Sequence, residues 1–563
     1  MNDFNHKRIN ILLIFFAIIT SLLGWRLFEK QVIEHDSYVA KAEDQYLTKK
    51  TVPAERGKIY STDKTLLAAN SRLYDLTVVP RYIASGDKMD VAQKLSQFVD
   101  KPASDIFNLI NNDKYYIAPL KKRMTEDEGQ KISDLKIKGV IVAPVSVRSY
   151  PQGQLAAQVL GFVDNSGNGR YGLEGFYNNE LKGVEGKVSG SSDVHGRMFD
   201  VNSETKASDG ADFYLTIDQN IQYEAEQVLS DAVTKYMSDS GSLIICDPQT
   251  GKILAMANYP TYNPNDYSKV QDQQLFNNAA INNAYEPGSI FKPLIMAAAV
   301  DQGLVQPDTK NTFGACVKVD SYTICTSTKE AYGLETMTQV LEHSDNVAMV
   351  WIAGLLNRDN MYKYIKDFGF GRKSGIELDT ESPGSVADPK KWSNAQLATI
   401  SFGQGITTTP LQILMATNVV ANGGKLMQPY IVDKVVNVSG KEDVRQPKQI
   451  AQVIRADTAK KVTDMMVSVV VNGHGKKAAV IGYKVAGKTG TAQVPSPGGG
   501  YYADRHIGSF AGFAPADNPR FTMLVRLDNP RNVDWAESSA APTFGTMAKR
   551  LLDYMKVAPT VTP

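Results

Sequence analysis

One unbroken apolar run, from Ile9 to Phe28, constrains this chain more than any other stretch. Nothing in a bilayer core satisfies backbone N–H and C=O groups, so such a segment has to be helical. At 1.5 Å rise per residue its roughly twenty positions span about 30 Å, the thickness of the hydrocarbon layer. His6, Lys7 and Arg8 precede it, which favours an N-terminus left in the cytoplasm. A cleaved signal peptide is the competing reading, but the apolar core is long and no A-x-A site follows closely. The expectation is a cytoplasmic tail over 1–8, an uncleaved anchor over 9–28, and everything later on the outer side of the cytoplasmic membrane, where ATP is absent.

The rest of the 563 residues is too long for one ordinary domain, so two or three are expected. Hydrophobic content of 43% and charged content of 21% are those of globular protein. A formal net charge of +1 gives no electrostatic footprint for nucleic acid, and that class of partner is set aside. The three cysteines, Cys246, Cys316 and Cys325, show no C-x-x-C spacing, so no metal site is expected, and nothing calls for a cofactor. Cys316 and Cys325 could pair or could be two small apolar side chains; spacing does not decide.

From Glu29 to about Gln45 the pattern reads as a helix continuing from the membrane. Residues 50–205 mix short β-branched runs, such as Leu76–Pro80 and Gly139–Val142, with Gly and Pro punctuation, a mixed α/β region. The polar stretch Asp200–Ala211 reads as a linker. Beyond it, Tyr214–Ile217 reads as a strand, a helix follows from Gln219, and Ser242–Cys246 with Ile253–Met256 reads as a hairpin across a turn. Phe510–Phe513 and Phe521–Val525 are further strands, so strands bracket a helical centre and the class expected is α+β.

Three clusters carry candidate chemistry. Glu286-Pro287-Gly288-Ser289-Ile290-Phe291-Lys292 precedes an apolar run, which places Ser289 near the start of a buried helix with Lys292 on the same face. A serine hydroxyl needs a base, and a lysine serves only if burial or a nearby positive charge lowers its pKa. Ser-x-x-Lys is a weak signal by itself: Ser61…Lys64, Ser133…Lys136 and Ser203…Lys206 repeat it and read as solvated surface pairs. Ser344-Asp345-Asn346 could point a hydroxyl and an amide into one cleft, or could merely cap a helix. Ser166-Gly167-Asn168 shows how cheaply that spacing arises. Lys488-Thr489-Gly490-Thr491 reads as an edge strand whose glycine admits a substrate backbone, or as an ordinary strand end.

Gly482 to Thr489 also matches the P-loop pattern G-x-x-x-x-G-K-[ST]. A P-loop needs a helix after its Lys-Thr, and the continuation Gly490-Thr491-Ala492-Gln493-Val494-Pro495-Ser496-Pro497 cannot supply one. No G-x-S-x-G elbow surrounds any serine, which disfavours a Ser-His-Asp hydrolase and leaves His343 as structural or exposed.

Ser-x-x-Lys, Ser-x-Asn and Lys-Thr-Gly in this order are the three motifs of serine penicillin-recognising enzymes. The chain resembles the class B penicillin-binding proteins, monofunctional peptidoglycan D,D-transpeptidases, over about residues 45–550. Arg56-Gly57 with Ile59-Tyr60 and Asp63, Arg148-Ser149-Tyr150-Pro151, Val159-Leu160-Gly161 and Gly172-Leu173-Glu174-Gly175 resemble motifs of the family's N-terminal pedestal. Leu215–Asp218 and Asp247–Gly251 resemble the opening of its transpeptidase domain, and no room is left for a glycosyltransferase domain. The resemblance implies an α+β protein with a single N-terminal transmembrane helix. A mixed α/β pedestal over 29–205 would follow, for dimerisation or partner binding. A transpeptidase domain over 212–555, with an antiparallel sheet flanked by helices, and a disordered tail over 556–563 would complete it.

It also implies roles. Ser289 would attack the penultimate D-alanine carbonyl of a stem peptide and form an acyl-enzyme. Lys292 would take the hydroxyl proton, Ser344 would relay a proton to the leaving amine, and Asn346 would hold the substrate amide. Lys488 would help keep Lys292 neutral and attract the substrate carboxylate, with Thr489, Gly490 and Thr491 lining the binding strand. Backbone N–H groups of Ser289 and Thr491 would form the oxyanion hole. β-Lactams would acylate Ser289. Ser509–Asp517 and Ala486–Gln493 are most similar to the division-specific septal type, whereas Gly403-Gln404-Gly405 is closer to the elongation type. A polytopic glycosyltransferase and other division proteins are the partners the resemblance implies. The alternatives are a serine β-lactamase or carboxypeptidase, in which water resolves the acyl-enzyme, and a catalytically inactive division scaffold.

Overall fold

A computed structural model describes residues 3–39, 47–114, 117–192, 198–496 and 498–561. The chain divides into two compact units, one of Met1–Glu55 with Gly183–Gly210 and one of Arg56–Lys182 with Ala211–Pro563.

In the first unit, Asp3–Phe28 is a single α-helix, and Lys7–Ile33 is the one described stretch long and apolar enough to cross a membrane, consistent with a single-pass anchor. The helix does not simply run on as the sequence implied. Glu29–Ile33 widens to π-helical turns, helix resumes after Glu34 as far as residue 39, and 40–46 lie outside the described residues. The unit's other element is an antiparallel sheet of Leu47–Val52, Gly186–Ser192 and Met198–Thr205. Residues 200–205, expected as linker, are therefore strand. Backbone pairing with 187–191 overrides a composition that reads as turn.

The second unit holds two larger sheets. One runs in the order 442–444, 432–436, 212–215, 59–60, 66–78 and 121–124, with 140–149 also paired along 66–78. Its Asp212–Leu215 strand joins Ile59–Tyr60 in parallel and Val432–Val436 antiparallel, so segments from both sides of the expected linker share one sheet. Three of the four pedestal motifs converge on one carboxylate. Glu174 is fully buried, and its carboxylate binds Arg56 Nε at 2.6 Å and Arg148 Nε at 2.7 Å. Tyr150 Oη adds a bond of 3.3 Å.

The other sheet is antiparallel throughout, ordered 253–259, 240–246, 521–528, 501–514 and 486–495. The expected hairpin is present, and its turn needs Gly251 at φ +83°, where the Gly251 N–H returns to the Asp247 carbonyl. One face packs on Gln219–Lys235 and Ala540–Tyr554 through residues such as Leu229, Phe510 and Phe544. Asp218 caps the first of these helices, accepting from the N–H groups of Asn220 and Ile221. The other face packs on the almost wholly buried Lys292–Asp301 and Pro410–Ala421 helices, through Ile295, Met415, Ala511 and Leu524. The sheet thus ends on an edge strand, Ala486–Pro495, beside the helix that follows Ser289.

Two smaller expectations fail for local reasons. Ser61 is buried and its hydroxyl engages Asp63, so Ser61…Lys64 is not a solvated pair. The segment after Lys556 is tied down as far as residue 561: the Thr560 and Val561 N–H groups donate to the Gly482 carbonyl, and Tyr483 Oη donates to the Val557 carbonyl at 2.6 Å.

Candidate active site

Ser289 sits in a 3₁₀ turn, Gly288–Phe291, that feeds directly into the buried helix, and its side chain is half-buried. Lys292 opens that helix and is completely buried. Its Nζ lies 2.5 Å from the Ser344 carbonyl oxygen, 3.1 Å from Ser344 Oγ and 2.8 Å from Asn346 Oδ1. Among the described hydrogen bonds none joins Ser289 to Lys292. Burial pushes the Lys292 pKa well down, and the charge of Lys488 pushes it further.

Lys488, also buried, reaches Ser344 Oγ from the opposite wall at 3.0 Å and binds the Thr489 carbonyl at 3.1 Å. Burial brings its own pKa down to about 7, opposed by the charge of Glu537. The role that the resemblance implies for Lys488 requires its protonated form, so carboxylate recognition would be strongest below that value. The second-order constant for acylation should therefore fall as pH rises through about 7 to 8. A Lys488→Arg variant, whose guanidinium stays charged, should lose that decline even if it reacts more slowly.

The Ser344–Asn346 turn answers whether this motif caps a helix or faces a cleft: it does both. Asp345 Oδ1 accepts from the N–H groups of Val347 and Ala348 and so caps the Asn346–Asp367 helix. Ser344 adopts left-handed geometry, φ 58°, and with Asn346 faces Lys292. Asn346 Nδ2 is fixed by a 3.0 Å bond to the Cys325 carbonyl, and Cys325 forms a disulfide with Cys316 across a short hairpin.

Lys488 to Thr491 lie on the edge strand. This also disposes of the P-loop pattern, because strand rather than helix follows Lys488-Thr489. Gly490 admits the Ser289 turn: a Cβ there would stand 2.9 Å from Ile290 Cγ2 and 3.1 Å from the Ile290 nitrogen. Thr489 and Thr491 line the cleft, and Thr491 Oγ1 accepts from the Ala536 N–H, which leaves its own proton free to donate. The cleft has a volume of about 780 Å³ and is lined by Ser289, Ser344, Asn346, Thr489 and Thr491 together with Gln404, Trp535 and Glu537. All eight residues singled out from the three motifs thus meet at one place.

Gly403 holds the Ser289 turn from behind. The Gly288 N–H donates to the Gly403 carbonyl at 3.0 Å, and a Cβ at Gly403 would come within 2.2 Å of the Gly288 oxygen, at φ +81°. Gly403→Ala should therefore displace Ser289 and slow acylation roughly tenfold or more. Acylation at the wild-type rate would show that the turn accommodates the methyl elsewhere.

His343 fits its non-catalytic reading: its Nδ1 lies 2.6 Å from Glu335 Oε1 and its ring stacks on Tyr332. Sequence reasoning missed Glu335 and the Cys325 carbonyl, and it anticipated the Asp345 cap without its link to Glu335. A Thr-x-x-Gln capping box at Thr336 marked the helix start next to Glu335 but gave no sign of its neighbour Asp345.

Two family models match this chain, the penicillin binding protein transpeptidase domain over residues 241–549 and the penicillin-binding protein dimerisation domain over 51–215. The chain belongs to the penicillin-binding proteins, in the class B group that joins these two domains, and it is an enzyme of the peptidoglycan D,D-transpeptidase type. Among its relatives, stage V sporulation protein D of Bacillus subtilis is 32% identical over 98% of this chain and 86% of that protein. Peptidoglycan D,D-transpeptidase FtsI of Escherichia coli is 29% identical over 96% and 90%. The structure of penicillin-binding protein 3 from Mycobacterium tuberculosis, complexed with aztreonam, superposes with a TM-score of 0.72 at 28% identity, covering 91% of this chain and 98% of that one.

Proposed function

We propose that the protein cross-links peptidoglycan stem peptides through an acyl-enzyme on Ser289, at the division septum. The observation that carries this reading is the convergence of two buried lysines on the Ser344 hydroxyl, at 3.1 and 3.0 Å, beside the half-buried Ser289. A neutral amine has two hydrogens, which the Ser344 carbonyl and Asn346 Oδ1 can take, and its lone pair is then free to receive a proton. In this scheme Ser289 Oγ attacks the penultimate D-alanine carbonyl as Lys292 removes its proton. The tetrahedral oxyanion is held by the N–H groups of Ser289 and Thr491. It collapses with loss of D-alanine, whose nitrogen takes a proton through Ser344, while Asn346 holds the substrate amide and Lys488 with Thr489 and Thr491 holds the terminal carboxylate. The amine of a neighbouring stem peptide then attacks the ester and regenerates Ser289.

The relation to FtsI supports a septal role and, with the anchor helix, an extracytoplasmic catalytic domain partnered by a polytopic glycosyltransferase and other division proteins. The Gly403-Gln404-Gly405 segment favours the elongation type as the second reading. The pedestal would serve dimerisation or partner binding over 29–205 and the transpeptidase domain would span 212–555.

The test is to label the full-length protein in detergent with a fluorescent penicillin and map the adduct by peptide mass spectrometry. A stable adduct on Ser289 supports the reading. Rapid turnover with hydrolysed drug points to a β-lactamase, and a folded protein that takes no label is a scaffold.

A further inference from the structure

Two buried carboxyl groups belong to the surroundings of this turn: Asp345, the middle residue of Ser344–Asn346, and Glu335, which lies outside all three motifs. Glu335 is 1% exposed and Asp345 0%. Each has one oxygen engaged: Glu335 Oε1 meets His343 Nδ1 at 2.6 Å, and Asp345 Oδ1 accepts two backbone N–H groups. Each has its other oxygen, Glu335 Oε2 and Asp345 Oδ2, buried without a donor. Two fully buried acceptors without donors are costly, and two adjacent buried carboxylates cannot both be ionised. One proton shared between them resolves both problems.

We propose that Glu335 is a positioning residue for the transpeptidase reaction: it carries that proton, donates it to Asp345 Oδ2, and so fixes the turn that aims Ser344 and Asn346 at Lys292. The proton belongs on Glu335 because Asp345 already accepts two N–H groups at a helix N-terminus, which favours its charged form. Glu335 Oε1 then accepts from His343 Nδ1–H, and each of the four carboxyl oxygens is paired. The residue across the strand pair from Glu335 is the neutral Asn311, and the neighbouring amine is Lys292, bound to Ser344 and Asn346, whose pKa the charge of Asp345 raises against the effect of burial. Burial and the proximity of Asp345 push the Glu335 pKa up to about 7, which agrees with a retained proton.

The inference rests on the transpeptidase reading for its kinetic consequence but not for its protonation. Glu335→Gln keeps a donor toward Asp345 and an acceptor toward His343, whereas Glu335→Leu removes both. In full-length protein in detergent, Glu335→Gln should acylate within about threefold of wild type and Glu335→Leu at least tenfold more slowly. Melting temperature against pH provides the arm independent of acylation. A carboxyl that holds its proton to about pH 7 when folded, against 4.5 when free, makes the wild type lose stability as pH rises through that window. Glu335→Gln has no such proton to lose, so its melting temperature should gain on the wild type from pH 5 to pH 8. A gap that stays constant or reverses would overturn the shared proton, as would a Glu335→Gln variant as slow as Glu335→Leu. A wild type that takes no penicillin, with the widening gap intact, would sink the transpeptidase reading and leave the shared proton standing.

Discussion

Lys292→Met should slow acylation by a penicillin about 100- to 10,000-fold, the usual worth of a positioned base, in a protein that remains folded. Methionine fills nearly the same buried volume with no amine to desolvate, so packing around the fully buried side chain survives. The turn it faces is not held by Lys292 alone. Lys488 still donates to Ser344 Oγ, the Cys325 carbonyl still accepts from Asn346 Nδ2, and Asp345 still caps its helix. What disappears is the lone pair within reach of the nucleophile's helix. Stopped-flow labelling measures the rate, and thermal melting measures the fold. Acylation within tenfold of wild type in the folded variant would move the base elsewhere, with Lys488 the remaining amine.

Glu174→Leu should produce the largest loss of stability of any single exchange considered. It leaves the guanidinium groups of Arg56 and Arg148, each 9% exposed, without the one carboxylate between them. Removing one partner of a buried ion pair costs about 3–5 kcal/mol, because the surviving charges stay desolvated. For a unit of about 480 residues, at about 2.1 cal/mol/K of unfolding entropy per residue, that lowers the melting temperature by roughly 3–5 °C. None of the three residues lines the Ser289 cleft, so protein that remains folded should acylate at close to the wild-type rate. Should melting change by less than about 2 °C, water or another anion would have to be neutralising the two arginines.

The residues of the candidate site were legible in the sequence because each motif is local: Ser289 with Lys292, Ser344 with Asn346, and Lys488 with its two threonines are fixed by turn and strand geometry over a few residues. The antiparallel sheet was legible for the same reason, as β-branched runs between turns. What could not be read was pairing across distance. Arg56, Arg148 and Glu174 were visible only as separate motifs, and nothing in their spacing said that they meet on one carboxylate. The pairing of Glu335 with Asp345 is invisible for a different reason, since a surface helix start and a shared buried proton are written with the same letters. Residues 200–205 read as linker because composition reports what a segment prefers in isolation, and strand partners at 187–191 outweighed it.

The sheet that runs through 59–60, 212–215 and 432–436 has a bearing on how the chain is made. A ribosome delivers it N-terminus first, at about 5–20 residues per second. The 212–215 strand can join its parallel neighbour early, but its other edge must wait for 432–436, more than 200 residues later and roughly 10–40 s at that pace. During that interval the newborn protein presents a row of unmatched amides and carbonyls, an invitation to stray pairing with other chains. Holding that border quiet during synthesis is a task for chaperones that meet the nascent polypeptide.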